Sequence, residues 1–252
     1  MDHSLTDIGG INLQVHPDRD ALGAAAAAEV ADAIRAAVAR SGSARVVFAA
    51  APSQSEMLAA LVATPDMPWE KVTAFHMDDY IGLPAEAPQR FANWLDAHLF
   101  QHVPFAEVHR IPGAGDPETI CRDYGALLRE APLDVVCFGI GVNGHLAFND
   151  PPFADFDESA WVKTVALDLT CRQQQVDDEC FDTLDAVPTL AVTLTIPCLM
   201  SAGAKIGAVP GARKRAALTA ALTGPVTTDC PASILQLHAV SLHTDREALP
   251  NG

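Results

Sequence analysis

Basic residues are scarce in this 252-residue chain: 16 Lys and Arg stand against 32 Asp and Glu, a formal charge of −16. A surface of that sign repels nucleic acid and anionic membranes, because both need clustered Lys and Arg. An anionic small-molecule substrate then requires a local positive site. Long apolar runs are also missing: no stretch of about 18 apolar residues occurs, which excludes a spanning helix. The polar start MDHSLTDIGG has no apolar segment behind a basic one, so no secretory leader is expected. Cys121, Cys137, Cys171, Cys180, Cys198 and Cys230 include no CxxC pair and no zinc-like spacing with His. They read as reduced thiols, mostly core fillers, and point to the cytosol. Internal repeats and low-complexity linkers are absent; the Ala-rich stretch around 24–28 belongs to a helix.

What is present is ordinary for a globular enzyme: 49% apolar residues, 19% charged, and a length that allows a sizeable core. Strand-like and helix-like segments alternate. The spacing predicts strands over 11–16, 44–51, 71–77, 133–141, 161–169, 204–211 and 238–245. Helices are predicted over 18–42, from Pro52 to Ala63, over 88–100 with Pro88 in the first turn, and over 116–130 and 213–224. TLTIPCLMSA (193–202) is ambiguous, with helix preferred. Such alternation implies an α/β fold: a doubly wound, mostly parallel sheet with helices on both faces, in one domain. The acidic, polar segment 150–190, with Pro151 and Pro152, is a candidate lid.

In such sheets the loops leaving the C-terminal strand ends hold the ligand. GIGVNGHLAFNDPP (139–152) follows the most hydrophobic strand. Its Gly139, Gly141 and Gly144 match GxGxxG, but a dinucleotide site needs a helix directly afterwards, and NDPP stops one. The alternative is a Gly-rich turn in which Gly141 and Gly144 let backbone approach a small ligand while His145 is presented. A lone histidine is commonly structural; an adjacent buried strand, Asn143 and Asp150 favour catalysis here. HMDDYIGLP places Asp78 and Asp79 at another strand end. Against an apolar strand end one carboxyl would be desolvated into a general base; solvated turn residues or helix caps are the other reading. APSQSE (51–56) offers Ser53, Gln54 and backbone N–H groups, either an anion cradle or an ordinary N-cap. RKR (213–215) is a candidate phosphate contact or a solvated helix face.

Together these loops resemble the glucosamine-6-phosphate deaminase family, within the wider group that includes the 6-phosphogluconolactonases. The resemblance runs from about residue 11 to 243, through HMDDYIGLP, the PQRFANWL helix, GIGVNGHLAFNDPP, GARK and LQLH. Its most specific pieces are MDDYIGL and GxNGHLAFNDP, where the family usually carries Asp-Glu-Tyr and Phe-Asn-Glu-Pro. The lactonase branch has an Asp-Glu-Arg motif and lacks the Ala-Phe-Asn run, so the chain sides with the deaminases. The resemblance implies a Rossmann-like fold, a phosphorylated aminosugar as substrate, and no metal or organic cofactor. It makes Asp78 the base that moves a proton between C2 and C1, with Asp79 beside it as a substrate contact. His145 becomes the ring-opening group, supported by Asn143 and Asp150, and Lys214 the phosphate-binding lysine.

Departures from the family's pattern are equally specific. Its Thr-Gly-Gly-Thr-Pro phosphate loop is replaced by Ala51-Pro52-Ser53-Gln54. Asp177 stands where a phosphate-binding Arg is expected, and Arg172 is the nearest basic substitute. Asp150 replaces a Glu that is one methylene longer, so its bond to His145 is expected to be lost or to run through water. The Ser-Ser and Arg-x-Lys positions of allosteric members are not evident near 151–163. Family members range from monomers to hexamers, so a homo-oligomer is allowed. Two other readings stand beside the deaminase: a lactone hydrolase, disfavoured by the missing Asp-Glu-Arg, and a sugar-phosphate sensor, disfavoured by the lack of a basic DNA-binding module.

Overall fold

The apolar runs of the sequence become the inner strands of a sheet. The computed structural model describes residues 6–151 and 153–249. The first five residues of the polar N-terminal stretch and Pro152 of the double proline lie outside the described residues. The chain opens with β1 (Thr6–Ile8), β2 (Ile11–His16), α1 (Arg19–Ser41), β3 (Ala44–Phe48), α2 (Ser55–Val62) and β4 (Val72–His76). Next come β5 (Asp78–Tyr80), α3 (Phe91–Leu95), β6 (Glu107–His109), α4 (Pro117–Arg129) and β7 (Val135–Phe138). It closes with β8 (Val162–Ala166), α5 (Leu169–Asp177), β9 (Leu190–Leu194), α6 (Ile196–Met200), β10 (Ala204–Val209), α7 (Arg215–Thr223) and β11 (Val240–Asp245).

Eight strands form the main sheet in the order β1-β2-β11-β10-β7-β3-β4-β6. Every neighbouring pair is parallel except the β1–β2 hairpin. Successive side chains of β3 divide between the two faces. Val46 and Phe48 join α1 and α2 in one buried cluster, whereas Val47 joins α4 and α7 in another. Covering both faces is what allows these strands to be apolar throughout, and it confirms the doubly wound expectation. The long Ala-rich helix starts where expected, with the Asp18 side chain accepting from Ala21 N, and ends at Gly42 in the left-handed region at φ 84°.

A second, three-stranded antiparallel sheet, β5-β9-β8, was not anticipated. Only Met77 separates β4 from β5, and its carbonyl accepts from Leu194 N (2.7 Å). Asp78 thereby leaves the main sheet and pairs with Thr193 on β9. The helix preferred for 193–202 is therefore wrong at its start. Thr193 and Leu194 end β9, and the helix begins only after Thr195, whose side chain accepts from Cys198 N, with Pro197 in the first turn. Within the candidate lid, β8 joins the small sheet, while Val165, Cys171 of α5 and Phe181 pack with Tyr80 and Phe148.

The helix predicted from Pro88 also begins later, at Phe91, and finishes as a π-helical turn over Asp96–Phe100. Its start is set by Asp79. That carboxylate, with no exposure, accepts from Phe91 N (3.0 Å), Ala92 N (3.3 Å), Tyr80 N (2.8 Å) and Arg90 Nη2 (3.0 Å). Asp79 is thus a buried helix cap and ion-pair partner, and the substrate contact assigned to it is corrected. Deleting one partner of a buried pair leaves the other charge uncompensated, at a cost of about 3–5 kcal/mol. Asp79→Ala is accordingly expected to lose stability of that order in urea unfolding, and Asp79→Asn less; an Asp79→Ala loss below about 1 kcal/mol would contradict this role.

Candidate active site

Four connections at the C-terminal edge of the main sheet surround a cavity of about 780 Å3. Asp78 enters after β4, Ser53 and Gln54 after β3, Gly141 and His145 after β7, and Lys214 after β10, and all of them line it. No helix follows the glycines of 139–144 before β8 among the described residues, so the dinucleotide alternative falls away. The loop instead folds on itself, with Gly144 N donating to Gly141 O and Gly141 N to His145 O, both at 3.0 Å.

His145 is held from several sides. Its backbone N–H donates to Asn143 Oδ1 (3.1 Å), and Asn143 Nδ2 donates to Asp150 Oδ1 (2.8 Å). Asp150 Oδ1 in turn lies 2.8 Å from His145 Nδ1. The shorter Asp side chain therefore keeps direct contact, against the expected loss. The ring N–H does not aim squarely at that oxygen, and Nδ1 has no aligned hydrogen-bond partner. Gly141 is the platform beneath the ring: a Cβ there would sit 2.1 Å from His145 Cε1. Gly144 has φ +85° and a Cβ on it would meet Cys230 Sγ at 2.8 Å, so its role is conformational and it does not line the cavity. Ala147 also takes positive φ, 51°, a strained value for a residue with a Cβ.

The end of this loop is tied to β9. Phe148 N donates to Thr193 Oγ1 (3.0 Å), and the buried Asn149 donates through Nδ2 to Leu194 O (2.8 Å) and Leu146 O (2.8 Å). Sequence reasoning missed this structural role of Asn149. It also missed His76, whose Nε2 accepts from Ile111 N (2.8 Å). The proton must then lie on Nδ1, which donates to the Asp78 carbonyl (2.9 Å). Burial holds the His76 pKa down, so a neutral ring fixes the strand end that presents Asp78.

The two carboxyls of the site differ in proton affinity. Burial, then Asp79 and Asp150, pushes Asp78 well above the ordinary carboxylate range. Burial acts on Asp150 in the same sense, but the adjacent His145 ring and the Asn143 amide outweigh it and hold the pKa down. Environments that split a pair of acids in this way separate a proton acceptor from a fixed negative charge.

At the other end of the cavity the cradle is thin. Pro52 has no N–H, and Gln54 N is taken by Ala51 O (2.8 Å), leaving chiefly the Ser53 hydroxyl. Gln54 is fully buried, donates to Ala208 O (3.1 Å), and keeps Oε1 without a partner. Lys214 makes no ion pair among the described residues, and burial lowers its pKa to about 8. Arg172, the suggested phosphate contact, lies elsewhere: its guanidinium donates to Leu184 O (2.6 Å) and Val187 O (3.0 Å) and does not line the cavity. Two arginines do line it: Arg19, paired with Glu56 (3.0 Å) and not anticipated, and Arg213 of the RKR candidate, paired with Asp178 (2.8 Å). The RKR cluster was the available signal for Arg213; nothing local marked Arg19.

A doubly wound sheet with a buried carboxyl of raised proton affinity and an oriented histidine in one cleft marks the chain as an α/β enzyme with a cleft sized for a small polar molecule. The model of the glucosamine-6-phosphate isomerase/6-phosphogluconolactonase family matches residues 17–244, and the chain belongs to that family. It is 38% identical over 179 residues to a glucosamine-6-phosphate deaminase of Exiguobacterium sibiricum, covering 70% of this chain and 69% of the relative. A deaminase of the same name from Streptococcus gordonii is 36% identical over 186 residues, covering 73% and 77%. Among solved structures, a monomeric glucosamine-6-phosphate deaminase superposes with TM-score 0.85 at 27% identity, covering 94% of this chain and 98% of that one. The 6-phosphogluconolactonase of Trypanosoma brucei has TM-score 0.77 at 20% identity, covering 94% and 96%, a likeness of fold.

The platform role of Gly141 is testable because its backbone needs no positive φ. Gly141→Ala is expected to displace the His145 ring and lower turnover about 100-fold, the usual consequence of misplacing a reacting group by about 1 Å. Turnover within a factor of two of the parent would show that the ring does not depend on this contact.

Proposed function

We propose that this enzyme converts an aminosugar 6-phosphate, with glucosamine and galactosamine the candidate epimers, to a ketose 6-phosphate and ammonia. The observation that carries the reading is the shared cavity of Asp78, with its raised proton affinity, and the His145–Asp150 pair. In this reading His145 moves a proton from the anomeric hydroxyl to the ring oxygen and opens the pyranose. Asn143 and Asp150 orient the ring and hold a negative charge against it. Asp78 takes the C2 proton and returns it at C1; water then adds at C2 and ammonia leaves. The protonated nitrogen already acidifies the C2–H bond. Lys214 and Ser53 receive the phosphate, with Gln54 on the cavity wall as a further substrate contact. The segment 150–190 serves as the lid, since Gln174, Gln175 and Glu179 stand on the cavity wall. The six free cysteines support a reducing compartment such as the cytosol, and no helix among the described residues is long and apolar enough to cross a membrane.

Ammonia release from the 6-phosphates of glucosamine, galactosamine and mannosamine, with the unphosphorylated sugars as controls, tests this directly. Release from one phosphorylated sugar is expected. Lactone hydrolysis without ammonia release would replace the reading by the hydrolase alternative.

Asp78→Asn is expected to abolish that release and to raise Tm. A carboxyl whose folded pKa lies above its ordinary 3.8 loses stabilisation as pH rises through the interval between the two. Above the ordinary carboxylate range the group therefore opposes folding. The gain is read in Tm, at about 2–4 °C for each kcal/mol in a domain of this size. An inactive variant with lowered Tm would contradict the desolvation argument; an active one would remove Asp78 from the reaction.

The same two groups shape the pH profile. The limb of kcat/KM on the acid side rises as Asp78 ionises, above the ordinary carboxylate range. On the alkaline side KM for the phosphorylated substrate climbs as Lys214 loses its proton past about 8. Lys214→Arg, which stays charged, is expected to move only the alkaline limb upward. An alkaline limb unmoved by that change would assign it to another group.

A further inference from the structure

A third side chain closes on the His145–Asp150 pair from a distant part of the sequence. Cys171 stands in the first turn of α5 with no exposure, and Asp150 is equally enclosed at 2%. One ligating atom from each of His145, Asp150 and Cys171 lies within 4.8 Å of the others. His145 Nδ1 is buried, and its polar neighbour, Asp150 Oδ1 at 2.8 Å, lies out of hydrogen-bond line, so the two atoms are free to open around an ion.

We propose that His145, Asp150 and Cys171 form a site for a thiophilic divalent cation, Zn2+ above all, whose binding shuts the enzyme off. Imidazole, carboxylate and thiolate together suit Zn2+ and disfavour Mg2+ and Ca2+, which take oxygen alone. Tetrahedral Zn2+ with bonds of about 2.0–2.3 Å places its ligand atoms about 3.3–3.6 Å apart. The Nδ1–Oδ1 distance of 2.8 Å must open by about half an ångström, and the sulfur must close by at most about 1.2 Å. Side-chain rotation covers both. Three protein ligands leave one position for water. Binding releases the Cys171 thiol proton to solvent, moves the neutral imidazole proton to Nε2, and forms three metal–ligand bonds without any redox change. His145 is then no longer free to carry a proton to the sugar ring. Nothing in the linear spacing announces this set, because Cys171 lies 26 positions from His145 and reaches it only through the packing of α5.

The cation site stands on its own; its effect on turnover rests on the proposed deaminase reading. The full chain is assayed for ammonia release in metal-buffered Zn2+, with Mg2+ as a control, alongside Cys171→Ser, Cys171→Ala and Cys230→Ser. The last variant alters the thiol beside Gly144 that is outside the cluster. Zn2+ but not Mg2+ is expected to inhibit the parent and Cys230→Ser alike. Both Cys171 variants should require about 10–100-fold more Zn2+, consistent with loss of a supporting or direct ligand. Co2+ binding is followed in parallel by its thiolate charge-transfer absorption, expected in the parent and in Cys230→Ser and absent from both Cys171 variants. Inhibition unchanged in the Cys171 variants, or a Co2+ spectrum without the thiolate band in the parent, would overturn the site. If no aminosugar phosphate releases ammonia, the deaminase reading fails while the Co2+ spectrum still decides the cation site.

Discussion

A carboxylate with no exposure to water needs its charge answered by groups that cannot leave, and Asp79 has four of them. Arg90 supplies the counter-charge, while the N–H groups of Tyr80, Phe91 and Ala92 supply directed donors. Three consequences follow from this one anchor. The chain turns out of the main sheet at a defined residue, α3 starts at Phe91 and not at Pro88, and Asp78 is left facing the cavity with its neighbour's negative charge close behind. The carboxyl that faces the cavity thus owes its proton affinity partly to the one that does not.

The contrast between the three acids near the cleft is one of surroundings, not of residue type. Asp79 is satisfied by donors, Asp150 by the His145 ring and the Asn143 amide, and Asp78 by neither. A buried carboxyl without donors favours its neutral form, and this raises its affinity for a proton. The neutral His76, bonded on both ring nitrogens, allows that arrangement without introducing a positive charge that would undo it.

Much of this was legible in the sequence, and the failures share a cause. Continuous apolar runs such as VVCF and ARVVF marked the inner parallel strands, and the punctuation after them located the loops that carry Asp78, His145 and Lys214. What escaped was everything decided by contacts distant along the chain. Three-residue strands such as β5 and β6 have too little pattern to register. Thr193 and Leu194 merged into the helix that follows them because no turn residue divides the two. Asp79 looked equivalent to Asp78, since adjacent strand positions point to opposite faces and only the fold says which face is the cavity. Arg172 was a guess from proximity along the chain, whereas Arg19 and Arg213 reach the wall through tertiary packing. The retained contact of the shortened Asp150 was likewise beyond sequence, because loop closure and not side-chain length set its distance to His145.

The small sheet has a mechanical consequence. Asp78 pairs with Thr193, and the loop bearing His145 is fastened through Phe148 and Asn149 to Thr193 and Leu194. Asp78 and the His145 loop, which leave β4 and β7 of the main sheet, are therefore also braced against one strand of the small sheet, whereas Ser53 and Lys214 follow β3 and β10. That shared brace sets the spacing of the carboxyl and the imidazole independently of the cradle at the other end of the cavity.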